Sequence, residues 1–348
     1  MNTAAPVDQL ARPLGVLRLS LTARCNLACP YCLPDGQEPP GVLTLEQRLA
    51  VVEACVGLGV STLRLTGGEP LLHQQLEQLI VAVQPLRAQG LREIALTTNG
   101  SLLSCERARQ LRRAGLDRIT ISLDGTDAAV VARMAGLPAE ARAGEQLLQR
   151  VLNSLDHALQ AGFQPAQGAL KLNAVMHRQL NGHQLLPLAQ LARDRGLELR
   201  LIEAMDVGNR NGWSPEAVLP AAAMIASLNA VWPVEPLGRS AHGTANRWRY
   251  RDGGGTIAVV ASISEPFCGD CNRLRVTADG IAYTCLFAPA DQGIDLRPWL
   301  GCGGDGTALQ QALRQLWQRR RDRYSEERST RRAEPSLSPH AEMAYLGG

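Results

Sequence analysis

LRLSLTARCNLACPYC, residues 17–32, places three cysteines spaced C-x3-C-x2-C directly after a short alternating apolar segment. Leu17 to Thr22 reads as a strand, and Cys25, Cys29 and Cys32 fall in the loop at its carboxyl end, where barrel folds build their sites. No fourth cysteine is near. A structural zinc site is closed by four ligands. A four-iron cluster on three thiolates instead keeps one iron open to an exchangeable ligand. Zinc completed from elsewhere, or chance spacing, is the competing reading, and the position of the loop weighs against both.

Outward from this stretch, short apolar strands alternate with amphipathic helical stretches, the pattern of repeated βα units on a parallel sheet. Strands are expected at Leu17 to Thr22, Ser61 to Thr66, Glu93 to Thr98, Arg118 to Leu123, Leu170 to Met176 and Glu198 to Glu203. Thr44 and Gln47 form a capping-box pattern ahead of a helix with the apolar face Leu45, Leu49, Val52 and Val56. Six units fall two short of a closed eight-stranded barrel. The expected fold is therefore α/β: an open partial (β/α)6 TIM-like barrel over residues 1–205, with a smaller C-terminal domain over residues 206–324. That second segment carries Gly-rich stretches, a strand from Thr256 to Ile263 and a helix from Thr307 to Tyr324. Residues 325–348 are polar and Pro-containing and read as a loose tail ending in Gly347-Gly348.

The chain has 348 residues, 45% of them apolar, enough for a sizeable core. No apolar run reaches the ~18 residues of a membrane span, and MNTAAPVDQLARPLG lacks the apolar middle of a secretory leader. The expectation is a cytoplasmic protein with no membrane partner. A net charge of +3 demands no polyanion, so the run Arg319, Arg320, Arg321 and Arg323 is read as a solvated helix face rather than a nucleic-acid contact. Nine cysteines in a reducing compartment call for a metal or catalytic reading before a disulfide one. Cys268, Cys271 and Cys285 form a second triad, C-x2-C-x13-C, and the nearest histidines, His242 and His340, lack zinc-ligand spacing to it. An incomplete zinc ribbon and a second cluster with one open iron both remain. Cys55, Cys105 and Cys302 read as packed or incidental.

Several strands carry a lone cation between leucines: Arg18, Arg64, Lys171 and Arg200. Alternation puts these cations on one face and the leucines on the other. With helices covering the leucines, the cations point into the barrel, where an unpaired charge costs several kcal/mol. An anion such as a triphosphate would compensate them; pairing with carboxylates, or placement at exposed strand ends, is the competing reading. Among 36 Lys and Arg residues only Lys171 is a lysine, which suits a site too tight for a forked guanidinium.

The cysteine loop after RLSLT, the run RLTGGEP with Gly67-Gly68-Glu69-Pro70, the run MDVGNRNGW from Met205, the second triad enclosing Arg273 and Arg275, and the terminal Gly-Gly together resemble the radical S-adenosylmethionine (SAM) superfamily. Within it they resemble the GTP 3′,8-cyclase family of molybdenum cofactor biosynthesis, over essentially the whole chain. The resemblance implies two [4Fe-4S] clusters, on the two cysteine triads, and SAM held by Tyr31, Gly68, Ser122 and Met205. It further implies GTP contacts from Arg18, Arg64, Thr97, Lys171, Arg200, Arg273, Leu274 and Arg275, with Arg273, Arg275, Gly347 and Gly348 serving catalysis. It also reverses the loose-tail reading at the last two residues, whose Gly-Gly end would thread between the clusters and meet an inward arginine. The implied partners are an electron donor and a downstream cyclic pyranopterin monophosphate synthase, and a homodimer is allowed. Ala23 stands where the family usually has Asp, and Thr62 where some members have Lys. Two other functions stay open on residues alone: a radical SAM peptide modifier with an auxiliary cluster, and a non-catalytic iron-sulfur redox protein.

Overall fold

A computed structural model describes residues 5–34, 36–138, 141–301, 306–331 and 339–348. Six strands, β1 (Val16–Ser20), β2 (Thr62–Thr66), β3 (Glu93–Thr98), β4 (Arg118–Ser122), β5 (Leu170–Met176) and β6 (Glu198–Glu203), pair in sequence order, each parallel to the next. Between and after them come α1 (Leu45–Gly57), α2 (Leu76–Ala82), α3 (Cys105–Ala114), α4 (Ala128–Met134), α5 (Ala141–Gln160), α6 (Leu185–Asp194) and α7 (Ala221–Val231). Thr44 and Gln47 form the expected capping box at the start of α1.

The leucines flanking the strand cations, Leu17, Leu19, Leu63, Leu65, Leu170, Leu172, Leu199 and Leu201, all lie in the core under the helices. Each such side chain contributes about 1.5–3 kcal/mol on burial. Those on β1 and β2 share a register with Leu17 opposite Leu63 and Leu19 opposite Leu65. A slip of one residue would turn every leucine inward and every cation outward, so the pattern fixes the register.

The 206–324 segment adds strands to both edges of this sheet. β7 (Val234–Gly238), β8 (Asn246–Tyr250) and β9 (Thr256–Val260) form an antiparallel unit whose β9 runs parallel to β6. β10 (Arg273–Val276), β11 (Ile281–Tyr283) and β12 (Ile294–Asp295) extend the other edge, with β10 parallel to β1. The complete order is β12-β11-β10-β1-β2-β3-β4-β5-β6-β9-β8-β7, an open sheet whose ends are β12 and β7. β10 can join β1 because RLRV repeats its alternation, setting Leu274 opposite Leu17 and Arg275 opposite Arg18.

Two expectations need correcting. The helix read from Thr307 to Tyr324 is α8 (Gly306–Gln318) followed, after a break, by α9 (Tyr324–Arg331); the break lets Arg320 and Asp322 turn inward. The final residues are not a loose end: Ala341, Met343, Ala344 and Leu346 are buried. The polar composition of the tail hid this short apolar set.

Candidate active site

Cys25, Cys29 and Cys32 line a cavity of about 250 Å³ at the carboxyl ends of β1 to β6, together with Tyr31, Gly67, Gly68, Ser122 and Met205. The loop is fastened to the Gly-Gly turn through backbone: Gly68 N donates to Thr22 O (2.7 Å) and Glu69 N to Arg24 O (2.8 Å). A Cβ on Gly68 would lie 2.2 Å from Arg24 O, so only glycine permits the approach. Glu69 closes the turn, its buried carboxylate accepting from Thr98 Oγ1 (2.6 Å), Asn99 N (2.7 Å) and Leu71 N (3.0 Å). Tyr31 donates its hydroxyl to Asp124 Oδ2 (2.6 Å), tying the loop to the end of β4.

The three thiols are free, and the set fits a cluster. Among the described residues no three His, Cys, Asp or Glu side chains converge where a single ion would sit; a four-iron cluster takes one thiolate per iron and needs no such point. Burial raises all three thiols, Cys32 to about 12, and the mutual proximity of the three sulfurs adds to the rise at Cys29. Iron must therefore displace protons from this loop as it binds.

Across the cavity stand Arg18, Arg64, Arg200, Arg273 and Arg275. Arg275, Arg18 and Arg64 lie opposite one another on β10, β1 and β2. The Arg18 guanidinium is held well below its ordinary value by burial first, then by Arg275, Arg64, Arg273 and Arg200. It donates to Gly347 O (2.9 Å) and to the carbonyl oxygen of Gly348, while Arg275 donates to Leu346 O (3.3 Å). The chain end thus enters the cavity as backbone. Arg18 Nε, Arg200 Nε and Asn173 Oδ1 are buried there without a hydrogen-bond partner, the condition of polar atoms whose partner is a ligand or water. Asn173 was missed in the sequence, although it lies two residues after Lys171 on the same inward face of β5.

The remaining candidates divide. Thr97 lines the cavity. Leu274 does not: its side chain faces the helices and is fully buried in the core, so only its backbone is available on the cation side. Lys171 lies in a second cavity of about 430 Å³ at the amino ends of the strands, which shares Arg64, Arg200 and Arg273 with the first. There it pairs with Glu198 (2.7 Å), which also meets Arg247 (2.8 Å), and Arg118 pairs with Glu93 (2.8 Å). For Lys171 a carboxylate is the partner in this structure. Thr62 lines the same lower cavity, and Ala23 is buried with its amide donating to Glu38 Oε2 (2.9 Å).

Cys268, Cys271 and Cys285 line a small adjoining cavity whose walls include Met205, Phe267, Arg273, Arg275 and Leu286, all shared with the first. Arg273 donates to Cys271 Sγ through Nε (3.3 Å) and Nη2 (3.2 Å). Burial pushes the Cys271 thiol up, but Arg273 and Arg320 outweigh it and hold the thiol at about 6. Cys285 is pushed to about 12 by burial and by Asp322. Arg320 is a correction: it lies on no solvated face but is buried, donating to Cys271 O (2.5 Å). Cys55 is buried in the core, Cys105 starts α3 with its sulfur 3.6 Å from Gln160 Oε1, and Cys302 lies outside the described residues.

Comparison with known proteins agrees with this geometry. Residues 19–192 match the Radical SAM superfamily and residues 197–326 match Molybdenum Cofactor Synthesis C. The chain is 61% identical to the GTP 3′,8-cyclase of Synechococcus sp. (strain CC9605), covering 100% of each, and 42% identical to that of Acidothermus cellulolyticus, covering 98% of each. Among solved structures, Streptococcus suis SuiB bound to S-adenosylmethionine superposes with a TM-score of 0.60 at 14% identity, over 87% of this chain and 68% of that one; this likeness shows the fold. With two triads of free thiols on adjoining cavities and full-length identity at this level, the chain belongs to the GTP 3′,8-cyclase family, radical SAM enzymes of molybdenum cofactor biosynthesis with a [4Fe-4S] cluster in each half.

Proposed function

We propose that this chain converts GTP to 3′,8-cyclo-7,8-dihydro-GTP. The observation that carries the reading is the convergence of Arg18, Arg64, Arg200, Arg273 and Arg275 on the cavity between the two cysteine triads. Cations gathered this closely, with Arg18 Nε and Arg200 Nε lacking a hydrogen bond and Glu198 the acidic neighbour of Arg200 (4.0 Å), suit a polyanion.

Cys25, Cys29 and Cys32 would hold the first cluster, and Cys268, Cys271 and Cys285 the second. The first cluster with SAM supplies the 5′-deoxyadenosyl chemistry that removes hydrogen from ribose C3′ of GTP and leads to a bond between C3′ and guanine C8. In this reading the Gly68 backbone, Tyr31, Ser122 and Met205, which line the cavity beside the first triad, would hold SAM, Gly68 at its amino group and Tyr31 at its adenine. Arg18, Arg64 and Arg200 neutralise phosphate, with Thr97 beside them, and Lys171 reaches the same charge from the lower cavity after exchanging Glu198 for phosphate. Arg273 and Arg275 lie between substrate and the second triad, where they stabilise charge developing on the base. The Gly347-Gly348 end fills the remaining space with backbone alone and excludes water from the reacting atoms.

The proposal includes a cytoplasmic location, an electron donor and a downstream cyclic pyranopterin monophosphate synthase. The test is anaerobic incubation of the cluster-loaded chain with SAM, GTP and dithionite. Formation of 5′-deoxyadenosine with a cyclised nucleotide is the expected result. Deoxyadenosine formed equally with and without GTP, and no new nucleotide, would refute it.

A further inference from the structure

The run MDVGNRNGW lies beside the site, with Val207 packed among Tyr31, Cys32, Met205 and Cys285, yet the residues after Val207 have no role in the account above. Its geometry is that of a rigid clip. Asn211 Nδ2 donates to Met205 O (3.1 Å) and Val207 O (3.0 Å), and Trp213 Nε1 donates to Ala204 O (2.8 Å), so the loop braces itself. Gly208 adopts φ +79°, and a Cβ there would lie 2.2 Å from Glu342 Oε2. Asn209 binds the C-terminal segment reciprocally: Nδ2 donates to His340 O (2.7 Å) and Oδ1 accepts from His340 N (3.0 Å). The Asn209 backbone N (3.1 Å) and Nδ2 (3.2 Å) both donate to Glu342 Oε1. Arg210 bridges onward, its Nε 3.4 Å from Glu342 Oε1 and its Nη2 donating to Leu33 O (2.9 Å), the residue after Cys32. An unbroken polar chain therefore runs from the first cysteine loop through Arg210 and Glu342 to the segment that ends on Arg18.

We infer that Asn209 and Glu342 are positioning residues that latch the C-terminal segment, hold Gly347-Gly348 in the cavity and couple its seating to the first cysteine loop. The inference rests on the cyclase reading for its functional consequence, but the latch itself is a structural claim. The segment is also held by Tyr345, whose hydroxyl donates to Asp279 Oδ2 (2.9 Å), by His340 Nδ1 at Phe287 O (2.8 Å), and by backbone bonds from Ala290 N to Pro339 O (2.9 Å) and from Ala341 N to Ala288 O (3.1 Å). Arg18 and Arg275 hold its last three residues, and Met343 and Leu346 are buried; Asn209 and Glu342 are its side-chain link to the 205–213 loop. Loss of the bonds should loosen it, since its other ties remain, while both cysteine triads stay intact.

The test uses the cluster-loaded chain with Asn209→Ala, Glu342→Ala and Glu342→Gln. The glutamine retains an acceptor for Asn209 and loses the charge that faces Arg210 and, beyond it, Cys32. Hydrogen exchange of residues 339–348 should quicken on the order of tenfold in the alanine variants, the effect of about one hydrogen bond's worth of opening free energy, and stay near the parent rate in Glu342→Gln. With SAM and GTP, the alanine variants should form 5′-deoxyadenosine at near the parent rate while cyclised nucleotide falls about tenfold, so that product per SAM cleaved drops; Glu342→Gln should restore the ratio. Unchanged exchange in both alanine variants overturns the latch. Faster exchange with an unchanged ratio overturns its positioning role. A parent chain that makes no cyclised nucleotide would refute the cyclase reading alone, and the exchange measurement would still judge the latch.

Discussion

Arg320 stands between exposed Arg319 and Arg321, yet its own guanidinium is enclosed by Trp317, Asp8 (3.7 Å), Asp322 (3.1 Å) and the Cys271 carbonyl. Removing one member of a buried ion cluster strands its partners, at a cost of about 3–5 kcal/mol. Arg320→Ala should lose about that much stability by urea denaturation of the metal-free chain, whereas Arg321→Ala should stay within about 0.5 kcal/mol. Equal effects would place Arg320 outside the fold's interior. Nothing local distinguishes the one buried arginine of this run: its partners Asp8 and Cys271 are remote in sequence and met only after folding. Asp124 makes a second test. Burial raises its carboxyl to about 6 despite hydrogen bonds from Tyr31 and Val175 N that lower it. The folded form thus holds a proton that the unfolded chain releases near the ordinary 3.8. The stability this proton contributes is complete below about pH 4 and lost as pH rises through about 6, on the order of 3 kcal/mol in all. Asp124→Asn should flatten that stretch of the stability curve of the metal-free chain; an unchanged slope would mean that Asp124 stays ionised.

At the scale of elements, the two cysteine triads sit on different supports, one on the loop after β1 and the other on the turn before β10 and the loop after β11. They should therefore fail separately. Replacing Cys25, Cys29 or Cys32 by Ala should lower bound iron from about eight to about four atoms per chain and abolish SAM cleavage. The same loss of iron from Cys268→Ala, Cys271→Ala or Cys285→Ala should weaken GTP binding while a SAM site survives. SAM cleavage in a Cys29→Ala variant, or parent-like GTP affinity in a Cys271→Ala variant shown to lack iron, would contradict the assignments. Spacing alone made both triads legible, because ligands on one short loop are neighbours in sequence as well as in space. The strands were equally legible: β3, β5 and β6 begin and end where their alternation does. α8 was overrun because the arginines after Gln318 favour helix locally, while Arg320 and Asp322 are drawn to the second triad by tertiary contacts.

For the whole molecule, alternation revealed the cation face, but pairing between strands remote in sequence set what that face encloses. β10 against β1 brings Arg275 beside Arg18, and β9 against β6 closes the other flank. Neither edge was readable in advance, since a four-residue strand such as RLRV states its faces without naming its neighbour. The seat of Gly347-Gly348 on Arg18 was expected from the resemblance alone, since composition reads that end as frayed. In the proposed reading the joined cavities would hold SAM, GTP and both clusters, which requires the ribose C3′ of GTP to come within reach of the 5′ carbon of the deoxyadenosyl group. GTP deuterated at ribose C3′ tests this most directly. The cluster-loaded chain, given SAM, dithionite and this substrate, should yield 5′-deoxyadenosine carrying one deuterium together with a cyclised nucleotide that has lost it. Deoxyadenosine free of deuterium, with the label retained in unchanged GTP, would contradict it.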